Sequence, residues 1–238
     1  MRKVRVSVIM PVFNAMPFVE HAIESVLAQD HPDFELLICN DASSDGSQSV
    51  LERYCADERV TLIANQHNKG AAAARNALID LAVGDYITPC DADDLMADKN
   101  LTILSTFLDK HIHLGAVYGD ILEILTDAEG HLVGVPRIVG MDWRKTWDLV
   151  ENSVNHGGSM IRRELLLQVG GYDESIRTVD DWSMWLKLAE VAEIRYLEGA
   201  VLYVWRRHPF GQSRKVKNVE ADIDTIIKQA VQRRGLLK

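Results

Sequence analysis

Three aspartates within four residues, Asp91, Asp93 and Asp94, form the segment of this chain with the clearest chemical meaning. They follow residues 86–90, an apolar run typical of a short buried strand. Carboxylates this close repel one another, and one of them normally takes up a proton unless a cation lies among them. Mg²⁺ and Mn²⁺ bind one or two carboxylates and complete their shells with phosphate oxygens. The spacing predicts a metal–phosphate site, and an aspartate-rich polar turn is the alternative.

The elements that position these aspartates alternate between strand and helix through roughly the first 120 residues, as the spacing of apolar residues indicates. The predicted strands are 4–10, 34–39, 60–63 and 86–90, with another opening at 116, and the predicted helices are 19–27, 47–56, 70–83 and 101–108. This βαβ series predicts an α/β fold with a mostly parallel sheet and helices on both faces. Such sheets bind ligands outside the carboxyl ends of their strands, where the three aspartates lie.

The pattern changes in the second half of the chain. The predicted elements there are a hairpin over 121–138, a helix near 143–150, a strand at 159–161, a helix near 182–189 and an amphipathic helix over 219–231. We predict a single domain over 1–238. It has a first half of about 1–120, a second half of about 121–212 and a C-terminal helix of about 216–234.

Composition narrows the classes of partner and compartment. The net charge of −9 argues against nucleic-acid binding, which requires a basic surface. No run reaches the ~18 apolar residues of a membrane span, and the start of the chain lacks a signal-peptide core. The three cysteines show no metal-ligand spacing, as expected in a reducing cytoplasm. Basic residues near the end are compatible with peripheral association with the inner face of a membrane. The sequence does not determine the oligomeric state.

Two common nucleotide-binding motifs are absent from the sequence. The turn after the first strand, residues 11–14, contains no G-x-G-x-x-G, and no G-x-x-x-x-G-K-[ST] occurs anywhere in the chain. Neither a dinucleotide-binding fold of the usual kind nor a P-loop is therefore indicated.

Five segments, in one order, resemble the family 2 glycosyltransferases with a GT-A fold. They are 6–14 (VSVIMPVFN), 40–47 (NDASSDGS), 68–76 with its NKG and ARN triplets, 91–94 (DADD), and 169–174 (VGGYDE) leading to 180–182 (DDW). The resemblance covers roughly residues 5 to 210. It implies a nucleotide-sugar-binding half with a mixed, mostly parallel sheet, followed by an α+β half that binds the acceptor.

The resemblance implies a set of donor-binding residues. The nucleotide-sugar-binding residues it assigns are Pro11, Phe13, Asn14, Asp41, Arg75, Asp91 and Asp93. Asp41 ends the second strand, where the family binds the nucleobase, and the alternative is that it caps the next helix. Arg75 lies on an alanine-rich helix, and the alternative is a solvated charge.

The same resemblance assigns a divalent cation, Mn²⁺ or Mg²⁺, to Asp93, with Asp91 and His208 as further ligands. The cation would neutralise charge on the departing diphosphate. His208 could equally be an ordinary surface or core histidine. Two roles stay open for Asp94: a part of the metal site, or a cap on the following helix.

The resemblance makes Asp181 the general base that takes a proton from the acceptor hydroxyl. Asp180 stands where the family more often has glutamate, so which of the two aspartates is the base stays open. Carboxylates are also favoured at any helix N-terminus, which is the structural alternative for both. Trp182 and His156 are the predicted acceptor-binding residues, and a core tryptophan is the alternative for Trp182.

We therefore predict an inverting, metal-dependent glycosyltransferase. It would use a nucleoside-diphosphate sugar, most simply a UDP-sugar, and a saccharide or lipid-linked saccharide acceptor in surface-polysaccharide assembly. Residues 212–214 do not fit the Gln-x-x-Arg-Trp motif of processive relatives, which implies one sugar per encounter. A sugar-phosphate nucleotidyltransferase and a non-catalytic domain that binds nucleotide or glycan are the alternatives.

Overall fold

The computed structural model describes residues 4–140, 142, 154–211 and 219–235. The strands are β1 Val6–Val12, β2 Phe34–Asn40, β3 Val60–Ala64, β4 Tyr86–Pro89, β5 Leu95–Met96, β6 Leu114–Leu125, β7 Arg137–Val139, β8 Ser159–Arg162 and β9 Glu193–Arg207. The helices are α1 Val19–Leu27, α2 Ser47–Tyr54, α3 Ala71–Leu81, α4 Asn100–Lys110, α5 Arg163–Gln168, α6 Asp180–Leu188 and α7 Val219–Arg233. The helix predicted near 143–150 lies outside the described residues.

The first half of the sheet is parallel, in the order β3-β2-β1-β4. Val6 of β1 pairs with Phe34 on one side and with Tyr86 on the other, so the three strands start level. β1 and β2 end level at Val12 and Asn40, whereas β4 ends at Pro89, opposite Ile9. Because all three strands run in the same direction, the segments that follow them lie at one edge of the sheet. This arrangement confirms the predicted βαβ series.

The second half makes the sheet mixed. β8 pairs antiparallel with β4 and β6, β9 runs parallel to β6, and β5 closes the order antiparallel to β9. β7 pairs antiparallel with β6, as the predicted hairpin requires. The α/β architecture with a mixed, mostly parallel sheet, predicted from the sequence, is confirmed. The three-part division of the chain stays a prediction.

Apolar residues bury both faces of the central strands. In β1, Val8 and Met10 pack toward α1, α2 and α4, whereas Ile9 packs toward α3 and α6. All three side chains are fully buried. Burial of one such side chain contributes about 1.5–3 kcal/mol. The central strands are therefore a stable platform for whatever lies at their carboxyl ends.

Small residues allow α3 to pack directly on the sheet. Ala72 and Ala74 are buried on its inner face together with Leu78. Gly70 occupies the N-cap position of α3 with φ 97°, a conformation that glycine adopts without strain. The close packing of α3 carries Arg75 to the edge where the strands end.

Candidate active site

A cleft of about 610 Å³ opens at the carboxyl ends of β1, β2 and β4. Its lining includes the segments after those strands, the start of α3, the start of α6 and the end of β9. Nearly all of the predicted site residues line it: Pro11, Phe13, Asn14, Asp41, Arg75, Asp91, Asp93, His156, Asp180, Asp181 and His208. The fold thus gathers residues from both halves of the chain, although the role of each one stays a prediction.

The turn after β1 is held by its contacts with the loop after β2. Asn14 has φ 50°, a left-handed conformation that asparagine tolerates better than most residues. Its backbone N–H donates to Ser43 Oγ at 3.0 Å, and its side-chain oxygen accepts the Ser44 N–H at 2.7 Å. Phe13, beside it, is 42% exposed and offers the cleft an apolar face. The turn is therefore preformed at the floor of the cleft.

Asp41 is the polar anchor of the loop that leads into α3. Its carboxylate accepts the backbone N–H groups of Lys69 and Gly70 and the side-chain amide of Asn65, at 2.8 to 3.1 Å. The residue is 2% exposed, so these bonds compensate for the loss of water. Asp41 does not cap α2, which follows it in the chain, but fixes the segment before α3.

Arg75 binds two carboxylates at once. Its terminal nitrogens donate to Asp91 Oδ1 and to Asp180 Oδ2, each at 2.7 Å. The guanidinium carbon lies 5.4 Å from the centre of the Tyr172 ring, and the side chain is 8% exposed. Burial lowers the pKa of Arg75, but the two carboxylates raise it further, so the net pKa lies well above its ordinary value. Arg75 is an ion-paired residue rather than a solvated charge.

Asp93 faces His208, with Oδ2 and Nε2 3.1 Å apart. His208 is 4% exposed, and its ring centre lies 4.3 Å from that of Phe18, with the two ring planes tilted by 46°. A carboxylate oxygen and an imidazole nitrogen at this separation suit one Mn²⁺ or Mg²⁺ ion, so the donor set fits the predicted cation. Asp91 contributes less directly, because Arg75 occupies one of its oxygens.

The third aspartate of the cluster plays a different part. Asp94 is 4% exposed and accepts the backbone N–H of Arg206 at 2.8 Å. Burial, together with Asp93 and Asp91, raises the pKa of Asp94 well above its ordinary value. Asp94 does not cap α4, which was one of its two alternatives, but ties the aspartate cluster to β9.

Within the described residues, three metal-type ligands gather at one further place, the tip of the β6–β7 hairpin. These are Asp127, Glu129 and His131. Asp127 accepts the backbone N–H groups of the other two residues, which is the usual hydrogen bonding of a tight turn. This cluster is not part of the cleft lining.

The two aspartates at the start of α6 differ in their environment. Asp180 is ion-paired with Arg75, whereas Asp181 Oδ1 accepts the N–H of Trp182 at 2.8 Å. Burial and the adjacent charge of Asp180 raise the pKa of Asp181 to about 7, although Arg75 lowers it in part. A carboxylate with a pKa near neutrality is well matched to general-base catalysis.

The predicted acceptor residues are both buried. Trp182 is 8% exposed, belongs to the core on the α3 and α6 side, and is absent from the described cleft lining. A sugar cannot stack on a face that the core covers, so the burial of Trp182 favours its alternative, a core position. His156 does line the cleft, but it is 8% exposed, and its Nε2 lies 3.0 Å from the Tyr172 hydroxyl. Burial and Arg75 lower the pKa of His156 to about 3, so it is neutral at pH 7.

Two exposed cations of the cleft were missed in the sequence. Lys69 and Arg177 both line it, and Arg177 donates to the Lys69 carbonyl at 3.1 Å. Lys69 lies in the NKG triplet, but nothing in the sequence around it indicates that its side chain faces the cleft. Arg177 lies between two matched segments. The only signal in the sequence for these cations was the number of aspartates predicted at the same site, since a phosphate-binding cleft also needs positive charge.

Tyr203 is a buried component of the cleft that the sequence pattern also missed. Its hydroxyl accepts the backbone N–H of Asp91 at 2.8 Å. A side chain at Gly157 would overlap the Tyr203 ring, so glycine is required there for close approach. Tyr203 and Gly157 therefore help to fix the backbone of the aspartate cluster.

Comparison with known proteins identifies the family. Residues 7–170 match the family model described as Glycosyl transferase family 2. The chain belongs to this family. Membership in family 2 confirms both the resemblance drawn from the five segments and the predicted enzyme class, a glycosyltransferase.

One relative of this family 2 member is EpsE of Bacillus subtilis strain 168, whose name as a glycosyltransferase is provisional. EpsE is 31% identical to this chain over 236 residues. The match covers 96% of this chain and 82% of EpsE. A chondroitin synthase of Escherichia coli is 26% identical, and the match covers 98% of this chain but only 33% of the synthase. Some relatives are therefore much longer proteins than this one.

Solved structures share the fold of this family 2 member. Residues 1–349 of S. aureus TarS in complex with UDP-GlcNAc superpose with a TM-score of 0.77 at 20% identity, covering 96% of this chain and 66% of that one. The mannosyltransferase PcManGT of Pyrobaculum calidifontis, in complex with GDP-Man and Mn²⁺, superposes with a TM-score of 0.68 at 20% identity, covering 96% and 70%. Across the described part of this chain, the helices are too short or too polar to cross a membrane.

Proposed function

We propose that this protein is an inverting, metal-dependent glycosyltransferase that transfers one sugar per encounter from a nucleoside-diphosphate sugar to a saccharide acceptor. The observation that carries the proposal is the placement of two unlike acidic sites in one cleft. Asp93 with His208 provides ligands for a cation, and Asp181 provides a carboxylate whose pKa is about 7. Arg75 links the two sites through Asp91 and Asp180.

The donor side of the cleft supports a nucleoside-diphosphate sugar. Asp93 and His208, with Asp91 beside them, would hold Mn²⁺ or Mg²⁺, which when bound stabilises negative charge on a departing diphosphate. Lys69 and Arg177 are exposed cations of the same lining and would bind phosphate oxygens. The TarS complex with UDP-GlcNAc favours a UDP-sugar. Pro11, Phe13, Asn14 and Asp41 line the same cleft and would lie near the base and ribose.

On the acceptor side, Asp181 would accept the proton of the acceptor hydroxyl as its oxygen attacks the anomeric carbon. Attack on the face opposite the departing diphosphate inverts the configuration at that carbon. Asp180 is already neutralised by Arg75, so it is the weaker candidate for the base. His156 is neutral and would contribute a hydrogen bond rather than a charge.

The acceptor class is inferred from the relatives. One of them, 38% identical over 116 residues, is a glucosyltransferase of Escherichia coli, WfgD, whose name specifies a GlcNAc-diphosphoundecaprenol acceptor. A saccharide acceptor, free or lipid-linked, in cell-surface polysaccharide assembly agrees with that name. A cytoplasmic location, peripheral at the inner face of the membrane, would give access to such an acceptor.

The decisive experiment measures release of UDP from UDP-sugars with Mn²⁺ in the presence and absence of saccharide acceptors. We expect acceptor-dependent release by the wild-type protein. In Asp181→Asn, kcat should fall by ~10²–10⁴-fold, because the amide cannot take a proton. The dissociation constant of UDP should stay within about threefold of wild type, since Asp181 is assigned to the acceptor.

Each alternative has its own outcome in that experiment. Pyrophosphate-dependent cleavage of the UDP-sugar to UTP and sugar 1-phosphate, without UDP release, would identify a nucleotidyltransferase. Tight UDP binding with no turnover of any donor would identify a non-catalytic binding domain. If Asp180→Asn lost far more activity than Asp181→Asn, the base would be Asp180.

A further inference from the structure

Arg75 connects the two halves of the cleft. Asp91 follows β4 on the donor side, and Asp180 opens α6 on the acceptor side, 105 residues from Arg75 along the chain. Both carboxylates receive a hydrogen bond of 2.7 Å from the same guanidinium. The rigid planar fork of arginine sets the separation of its two partners, which a lysine ammonium could not do.

Packed groups hold the Arg75 and Asp180 parts of the bridge, whereas the Asp91 side chain is 37% exposed and lines the cleft. Arg75 is 6% exposed, and its backbone is fixed because α3 packs on the sheet through Ala72 and Ala74. The Tyr172 ring lies beside the guanidinium at 5.4 Å. Breaking a buried ion pair leaves a charge without compensation, so the bridge resists rearrangement.

The bridge also distinguishes Asp180 from Asp181. Neighbouring residues on a helix point in different directions, about 100° apart, so only one of the two can reach the guanidinium. Asp180 makes that contact, and Asp181 stays available. The charged and titratable groups that face Asp181 are Asp180 on its own helix, Arg75 on α3, Asp91 after β4 and Tyr172 in the preceding loop.

We propose that Arg75 is a positioning residue that joins Asp91 to Asp180, sets the spacing between donor and acceptor sites, and leaves Asp181 as the proton acceptor. This inference rests on the proposed function and departs from the nucleotide-binding role that the family resemblance implies for Arg75. Arg75 acts through the two carboxylates, not through contact with the nucleotide.

The first test is the pH profile of kcat. Arg75→Met keeps most of the apolar stem of the side chain but removes the cation that favours ionised Asp181. The rising limb, with a pKa of about 7 in the wild type, should therefore move up by about 1 pH unit or more. In Asp180→Asn the limb should move down instead, since a neighbouring negative charge is lost. The KM for the donor should stay within about threefold of wild type in both variants.

Two further arginine variants sharpen this test. Arg75→Lys retains the charge without the fork, so kcat should fall while the limb stays close to that of the wild type. Arg5 is the matched control: it also joins two carboxylates, Asp85 and Asp109, but at the opposite end of β1. Arg5→Met should leave both the limb and the donor KM unchanged.

A second measurement needs no substrate. The pKa of Asp181 is about 7 in the folded protein, above its ordinary value of 3.8. The folded state therefore holds this proton more tightly, and the associated stability is complete below about pH 4 and is lost as pH rises through 7. In Asp181→Asn, Tm should not show the decrease between pH 4 and 7 that this proton causes in the wild type. In Arg75→Met the loss should extend to higher pH.

The outcomes separate the inference from the function on which it rests. If no donor is turned over but the pH dependence of Tm changes as expected, the positioning role stands and the proposed function falls. If turnover occurs and Arg75→Met weakens donor binding with an unmoved limb, Arg75 is a nucleotide ligand and the inference is wrong. Where Arg75→Met does not fold, an unmoved limb in Asp180→Asn overturns the inference.

Discussion

At the scale of single residues, Asp41 is bonded mainly to its own chain. A carboxylate offers about four lone-pair sites, and the two oxygens of Asp41 already receive N–H groups from Asn65, Lys69 and Gly70. Any contact with a nucleobase would have to be added to these bonds. Asp41 thus has a structural role that does not depend on whether it also binds the base.

Asp41→Ala should lower both stability and nucleotide affinity. We expect the free energy of unfolding to fall by about 1–3 kcal/mol, since the backbone N–H groups of Lys69 and Gly70 lose their buried partner. UDP affinity should fall by a similar free energy if the base contact exists. Urea unfolding and calorimetry measure the two quantities separately.

Asp45 provides the matched control for Asp41. Its carboxylate accepts the N–H groups of Met16 and Ser47, so Asp45→Ala should also reduce stability. Asp45 does not line the described cleft, so the UDP affinity of the Asp45→Ala protein should stay at the wild-type value. Equal UDP affinity in Asp41→Ala and Asp45→Ala would show that Asp41 does not bind the nucleobase.

At the scale of elements, α7 holds the loop that carries Arg177. Asp222 Oδ2 accepts the Thr178 hydroxyl at 2.8 Å and the Arg177 N–H at 3.4 Å. Ile226 and Ala230 on the same helix are 1% exposed and belong to the core shared with α6. The C-terminal helix therefore fixes the segment immediately before the two aspartates of α6.

Asp222→Ala should loosen this loop without unfolding the protein. We expect a loss of roughly 1 kcal/mol of stability, because one good and one weak hydrogen bond disappear. Amide hydrogen exchange over residues 173–179 should become faster, while exchange in β1 and β2 stays at the wild-type rate. Asp224→Ala, an exposed position on the same helix, is the control and should leave exchange in the loop unchanged.

At the scale of the whole molecule, the candidate metal site forms only when distant segments meet. Asp93 and His208 are 115 residues apart in the chain, after β4 and after β9. Arg206 reinforces the junction by donating to the carbonyls of Asp93 and Asp94. Binding of a cation with a nucleotide should consequently stabilise the domain as a unit.

Asp93→Ala should abolish the stabilisation that Mn²⁺ and UDP together give to the wild-type protein. A ligand at 100 times its Kd stabilises the folded state by about 2.7 kcal/mol, which a thermal-shift assay detects easily. The fold itself should persist, because one of three mutually repelling carboxylates is removed. Asp127→Ala, in the hairpin-tip cluster, should retain the full shift. A full shift in Asp93→Ala would contradict the assigned metal site.

The sequence by itself determined most of the order of elements in the first half of the chain and the edge of the sheet at which the candidate site lies. Apolar periodicity is a local property, so β1, β2, β4 and the hairpin over 121–138 were predicted correctly. The three aspartates after β4 could be placed at a ligand cleft because the carboxyl ends of parallel strands share an edge.

The tertiary structure alone decided which side chains meet. The pairing of Arg75 with Asp91 and Asp180 depends on how α3 and α6 pack on the sheet, and nothing in the local sequence encodes it. The same holds for Trp182, whose helical spacing fits a cleft wall and a core equally well. Burial and charge environment are sums over long-range contacts, so the distinction between Asp180 and Asp181 exists only in the folded protein.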